Sequence, residues 1–450
     1  MEERTLYGFN VSQDVINLQT KYSLFNRVAN ILFGVAFDEG FDRDLMTRSI
    51  DKLFERHDCL RITFVKQKGG IKQYFDSERH IGKIPFKEFS TRSAFERFLG
   101  KFRKTMVNVY KGKTLEVVFV KDALGKDNVV CKISHFVADT YAIGLLVSDL
   151  VAVYNALKNG EPMPQEPGKF EDVLKKDLAS RGNEEAMAKD HEFFDTYYTK
   201  TNPEHPMYCG IHGDNSDRWL KYKRKGMFSL PYLFVKCDTV GYKYIIPSAV
   251  TANAAKWCEE NNIPMSSFFY ACTAIAASVI NGKAPRQLPL ELMNCRGTLS
   301  EKRCGGTKVQ ALSIYTTVDY QKSFAENKAA IYENQSNLYR HTKLTYLDVE
   351  QIQHKFWNYS MVSQLTNFCY SFIPMSAPKG VTMQVYSNGK GALVCYMGLM
   401  WNVDTGEIEA VYDIQSKMVT PQAMNDFQNL LIHTVETVLA RPAIPLEELF

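Results

Sequence analysis

His135 and Asp139 stand four residues apart in the segment Ser134-His135-Phe136-Val137-Ala138-Asp139-Thr140. Neutral imidazole is the commonest general base near neutral pH, so a rigidly held histidine can take a proton from an attacking nucleophile. A carboxylate four residues further on can orient the imidazole directly, or anchor the loop by pairing with a cation. The spacing alone is common in a chain with nine histidines. A histidine that closes a strand beside an aspartate that caps a helix would satisfy it equally well.

The flanking pattern places both residues where such chemistry is usually done. Two apolar runs, Leu115–Val120 and Asn128–Ser134, flank Gly125-Lys126-Asp127 and read as a β-hairpin whose second strand ends at His135. The stripe Ile143, Leu146, Val147, Leu150, Val153, Tyr154 and Leu157 then predicts a helix that stops at Asn159-Gly160. The histidine thus sits between a strand end and a helix start, a position that faces a cleft in many folds. Upstream, Asp42 is a helix N-cap, and Leu45, Met46, Ile50, Leu53 and Phe54 give the helix one core face up to Arg56. A strand follows in which Leu60, Ile62 and Phe64 share one side and Arg61 and Thr63 the other. Gly69-Gly70 turns it into Ile71–Phe75.

Two of these segments resemble one family. The stretch Ser134–Thr140, followed by Leu145-Leu146-Val147-Ser148-Asp149-Leu150 and Tyr154, resembles the HHxxxDG motif of peptide-synthetase condensation domains and the helix after it. Plant-type acyltransferases and alcohol acetyltransferases share the shorter form HxxxD. Arg56-His57-Asp58-Cys59-Leu60-Arg61-Ile62-Thr63-Phe64 looks like the family's RHxxLRTxF. More diffusely, Asn262–Ser266, Asn294-Cys295-Arg296 and Gly306-Thr307-Lys308-Val309-Gln310 resemble segments of its C-terminal half.

The resemblance implies an α/β (α+β) fold of two chloramphenicol-acetyltransferase-like sandwich subdomains forming a V with a central channel. It implies a free-standing acyltransferase that moves an acyl group from a coenzyme A or phosphopantetheinyl carrier thioester to an amine or hydroxyl, with no permanently bound cofactor. His135 is then the general base, and Asp139 is structural, paired with Arg61, which faces away from the core side of its strand. Ser134, Thr140, Gln310 and Tyr370 are candidates for the channel or substrate. Thr140 stands where the family has glycine, and threonine resists an unusual φ. That departure implies altered substrate approach, or a catalytically degenerate relative that binds acyl groups or carrier proteins. Gln310 stands for an asparagine, and a structural role is the favoured reading of it over one in polarising the reacting groups.

Composition sets the outer bounds. The 450 residues carry 54 basic and 50 acidic side chains, a net +4 that gives no reason to expect nucleic acid or an anionic membrane as partner. Ten scattered cysteines include no metal-binding spacing, so no metal is expected. No signal sequence and no apolar run of membrane-spanning length are expected, which points to the cytoplasm. Pro162, Pro164, Pro167 and Gly168 mark a connector. The expected division is 1–168, an irregular segment 169–240, and 241–450. Within 169–240, Arg218, Lys221, Lys223, Arg224 and Lys225, interleaved with Trp219 and Tyr222, form either a solvated loop or a seat for phosphates or an acidic carrier. His57 reads as packing at a helix end.

Overall fold

The computed structural model describes residues 4–22, 27–206, 211, 223–224, 227–229, 238–358, 363–364, 368–391, 393–415 and 419–450. The chain forms two compact units that are not contiguous in sequence. The first comprises residues 1–184, 294–309 and 376–388, and the second comprises 185–293, 310–375 and 389–450.

The first unit is built on a five-stranded sheet. In chain order its elements are α1 (Val11–Tyr22), β1 (Asn30–Phe37), α2 (Arg43–Arg56), β2 (Ile62–Gln67), β3 (Gly70–Phe75), β4 (Phe86–Glu88), α3 (Arg92–Phe102), β5 (Leu115–Lys121), β6 (Asp127–Ser134), α4 (Thr140–Asn159) and α5 (Phe170–Arg181). The sheet runs from the late strand Val381–Tyr386 through β1, β6 and β5 to β4, while β2 and β3 pair as a separate hairpin. Alternation along β5 and β6 sends Val117, Phe119, Val129, Cys131 and Ile133 into the main core, where they meet Leu53, Leu146 and Leu150 of α2 and α4. Val118, Val120 and Val130 point the opposite way, under the phenylalanines of α3.

Three details differ from the sequence reading. Residues 58–61 form a 3-10 turn, so the strand expected from Leu60 begins at Ile62. The turn exists because the Asp58 carboxylate accepts the Phe170 and Glu171 N–H groups, at 2.8 and 2.9 Å, capping α5 from a distance. That cap places α5 in the first unit rather than in a connector, which moves the boundary from 168 to 184. Finally, α4 is by length and composition apolar enough to cross a bilayer, which the sequence reading did not anticipate. Its apolar stripe packs instead inside the first unit, with Ile143, Leu146 and Leu150 each 4% exposed or less.

The second unit carries a six-stranded mixed sheet in the spatial order 309–313, 290–294, 368–375, 395–402, 408–415, 239–246. Helix Met265–Ile280, buried along almost its whole length, and helix Pro421–Ala440 belong to its core. The latter starts as expected, with Thr420 accepting the Ala423 N–H and Pro421 in the first turn.

The start of α2 offers a direct test. Asp42 accepts the Leu45 N–H at 2.7 Å, and its own N–H donates to the Tyr154 hydroxyl of α4 at 2.9 Å. Asp42→Ala is expected to cost about 1 kcal/mol, read as a lower urea midpoint with an unchanged m-value.

Candidate active site

The pairing of β6 with β1 ends at Ser134 opposite Asn30, and the next residue closes the ladder: the His135 N–H donates to the Ala29 carbonyl at 2.6 Å. A tight turn follows, with the Val137 N–H donating to Ser134 O at 3.0 Å, and α4 begins at Thr140. The His135 backbone is thereby held by a strand on one side and a capped helix on the other. Its ring is half-buried, with Nδ1 sealed from solvent and lacking a hydrogen-bond partner. Burial pushes the imidazole pKa below the ordinary histidine value, overriding the opposite pull of its own carbonyl, Asp139 and the Ala138 carbonyl. The neutral ring is therefore favoured.

Asp139 is 2% exposed and fully engaged. It accepts the Ala142 N–H at 2.8 Å as the N-cap of α4, and the Lys308 N–H at 2.8 Å. Arg296 adds two further donors, Nη1 at 2.9 Å and Nη2 at 3.2 Å. The same guanidinium donates to Gly306 O at 2.7 Å and lies 4.7 Å from the Tyr141 ring centroid. This corrects the pairing expected from strand parity. Arg61 is held by the carbonyls of Phe54, Glu55 and Asp76 and does not bond Asp139. Arg61 lies in the 3-10 turn, so alternation along a strand does not govern its direction. Asp139 takes the second of the two roles open to it, anchoring the loop through a cation.

Arg296 and Lys308 both belong to a strap, residues 294–309, that is part of the first unit. Ala138 forms a parallel bridge with Gly306, whose φ is +88°. A Cβ there would lie 2.1 Å from the Phe170 ring, so only glycine fits. At the strap's end, Lys308 Nζ contacts Asp177 at 2.6 Å and Glu301 at 3.1 Å. Burial works to raise the Glu301 pKa, but the Thr298 backbone N–H and the Lys308 ammonium override it and bring it down to about 2.

The two family-like motifs meet in space. Arg56 forms a bidentate pair with Asp149 at 2.8 and 2.9 Å and reaches Glu166 at 2.8 Å. His57 Nε2 contacts the same Asp149 at 2.9 Å and is 2% exposed, in keeping with packing at a helix end. A third support escaped the sequence reading. Gln13, wholly buried, donates from Nε2 to Phe136 O at 3.0 Å and to Gln73 Oε1 at 2.8 Å. Nearby, Asn10 donates to Thr307 O at 3.0 Å and so grips the strap. The available signal was a pair of adjacent polar residues, Ser12-Gln13, opening an otherwise amphipathic helix.

The remaining candidates divide. Ser134 is buried beside the turn, its Oγ 3.4 Å from the Phe136 N–H. Thr140 is half-buried in the first turn of α4 and is not among the positive-φ residues, so no special backbone conformation is asked of it. Gln310 belongs to the second unit, 1% exposed, donating to the carbonyls of Thr342 and Leu344. Its amide is consumed by backbone, which corrects its place among channel candidates. Tyr370 is likewise corrected. It is 0% exposed in the second unit's core, and its hydroxyl donates to Ser266 O at 2.8 Å. Of the cationic cluster, Arg218, Trp219, Lys221, Tyr222 and Lys225 lie outside the described residues, and Lys223–Arg224 form a short strand. Among the described residues no group of three or more His, Cys, Asp or Glu is placed to hold a metal ion.

The site thus consists of a histidine presented at a strand end, on a loop clamped by a buried aspartate–arginine pair, in a chain of two α/β units. The family model for the condensation domain matches residues 20–365, and the chain belongs to that family. It is 22% identical over 325 residues to a plipastatin synthase of Bacillus subtilis (strain 168), covering 71% of this chain and 12% of that protein. With tyrocidine synthase 3 of Brevibacillus parabrevis it shares 23% over 270 residues, 56% of this chain and 4% of that protein. The chain thus spans a small part of these synthases. Among solved structures, the condensation domain of the monacolin K polyketide synthase MokA superposes with a TM-score of 0.81 at 13% identity, covering 98% of this chain and 99% of that one. A mutant starter condensation domain of rhizomide synthetase RzmA, in complex with C8-CoA, gives 0.79 at 16% identity, covering 98% and 97%.

Two outcomes follow from the clamp. Arg296→Met leaves the Asp139 carboxylate buried without its cation and is expected to cost about 3–5 kcal/mol in chemical denaturation, with Asp139→Asn in the same chain recovering part of the loss. Glu301, depressed in the folded state, contributes stability above its ordinary pKa that is lost as pH falls toward 2. Glu301→Gln is expected to flatten the fall in unfolding free energy between about pH 4.5 and 2.

Proposed function

We propose that the protein is an acyltransferase of the condensation type. It transfers an acyl group from a coenzyme A or phosphopantetheinyl carrier thioester to an amine or hydroxyl acceptor, working in the cytoplasm. The observation that carries this reading is the His135 imidazole: fixed at a strand end, neutral by burial, with Nδ1 sealed. Because Nδ1 is sealed from solvent, the base is assigned to the Nε2 lone pair of the neutral ring. The acceptor N–H or O–H attacks the thioester carbonyl while Nε2 takes its proton. Collapse of the tetrahedral adduct breaks the C–S bond, and the leaving thiolate recovers a proton from the imidazolium. Asp139 and Arg296 act through the loop and hold the ring rather than touching substrate.

Support for the substrates comes from relatives. RzmA starter condensation domain mutants are solved in complex with C8-CoA, and one also with Leu-SNAC. The competing reading, a catalytically degenerate binder, draws on Thr140. That residue begins α4 in ordinary helical geometry, which counts against it.

The test is release of free thiol from a panel of acyl-CoAs in the presence of amines or alcohols. His135→Ala is expected to lower the acceptor-dependent rate about 100- to 10,000-fold. Equal slow release by both proteins overturns the catalytic role in favour of binding. The acid limb of the rate profile is expected below the ordinary histidine value of about 6.5, because the depressed pKa keeps the base deprotonated further into acid.

A further inference from the structure

At the far edge of the first unit's sheet, β4 pairs with β5 in parallel only over Phe86–Phe119, Lys87–Val120 and Glu88–Lys121. Phe119 N–H donates to Pro85 O, and Lys121 O accepts from Phe89 N–H, so the odd-numbered residues of β5 direct their backbone groups toward β4. Strand alternation turns the N–H and C=O of Leu115 and Val117 to that same side. There β4 has not yet begun, and among the described residues no strand pairs with Leu115–Val118 on this side. Residues of 79–85 and of β5 line a cleft of ≈370 Å³, with Phe54 and Phe102 also in its lining.

The charges lining this cleft do not cancel. Arg79 is paired with Asp76 and donates to the carbonyls of Leu60 and Ile62. Glu116 is neutralised by Lys132, 2.7 Å away and 0% exposed, and His80 lies 3.8 Å from Asp51. Lys83 and Lys113 are both exposed and have no ion-pair partner among the described residues. The cleft therefore combines an unpaired strand edge, an apolar part of its lining and two unneutralised ammonium groups. An exposed edge of this kind is usually covered or blocked, because it is a template for another strand.

We propose that the β5 edge at Leu115–Val118 is a docking groove for an acidic extended peptide segment of a partner protein. The segment adds as a strand in line with β4, exchanging backbone hydrogen bonds with Leu115 and Val117 over about 13 Å. Its alternate apolar side chains rest on Phe54, and its carboxylates face Lys83 and Lys113. The test reads binding and not turnover, so it does not depend on the chemistry proposed for His135.

The probe is a fluorescein-labelled octapeptide alternating valine and glutamate, with a valine–lysine octapeptide and an N-methylated valine–glutamate octapeptide as controls. The full chain is expected to bind the acidic probe with salt-sensitive affinity, seen in anisotropy, and to slow amide exchange at Leu115 and Val117. The double variant K83E/K113E, which changes only exposed side chains, is expected to bind about tenfold more weakly. The N-methylated peptide is expected to give no protection. Binding of the N-methylated peptide as tight as that of its parent, indifference to the two lysine reversals, or no binding at all overturns the proposal. So does lysine-dependent binding of inorganic pyrophosphate without any peptide binding, which would assign the lysines to a phosphate site.

Discussion

A charge buried without partners is among the costliest features a fold can hold, and Asp139 is tolerated only because every donor around it is in place. Its carboxylate receives two N–H groups and both terminal nitrogens of Arg296. Three of those four donors come from residues 294–309, more than 150 positions along the chain from the aspartate. The capped start of α4, the turn that carries His135 and the strap thus stand or fall together. An aspartate so occupied has no lone pair left to steer the imidazole, which is why the histidine must be held by backbone instead.

Around that clamp, further buried polar groups of the first unit fix the helix on which the loop ends. Arg56 and His57 at the end of α2 converge on Asp149 in α4. Tyr154, one turn further along, receives the N–H of Asp42 at the other end of α2. Both ends of α2 are therefore pinned to α4, across a core whose apolar contacts alone would permit sliding. Gln13 fixes the carbonyl next to the histidine from the opposite side. Rigid presentation of one imidazole is the shared result, and positioning to a fraction of an ångström is what general base catalysis demands.

Much of this is legible in local sequence. The hairpin ending at His135, the helix from Thr140 to Asn159 and the N-cap at Asp42 follow from periodicity and turn chemistry, and each stands where that pattern places it. The same local logic fails at Arg61. A carboxylate from Asp58 to the start of α5 bends residues 58–61 out of strand geometry, and alternation then assigns the wrong face. Tyr370 and Gln310 read as channel residues for a related reason. Alternating aromatics and a polar residue near a strand start look the same whether they line a passage or close a core.

Sequence by itself determined the local scaffold and the family, because these rest on short-range pattern and on motif order. Tertiary structure alone decided which cation answers Asp139, which amides brace the turn, and that residues 294–309 and 376–388 return to the first unit. Those outcomes depend on contacts between residues hundreds of positions apart, chosen by which pairing leaves no buried charge or donor unsatisfied. No local window of sequence contains that information.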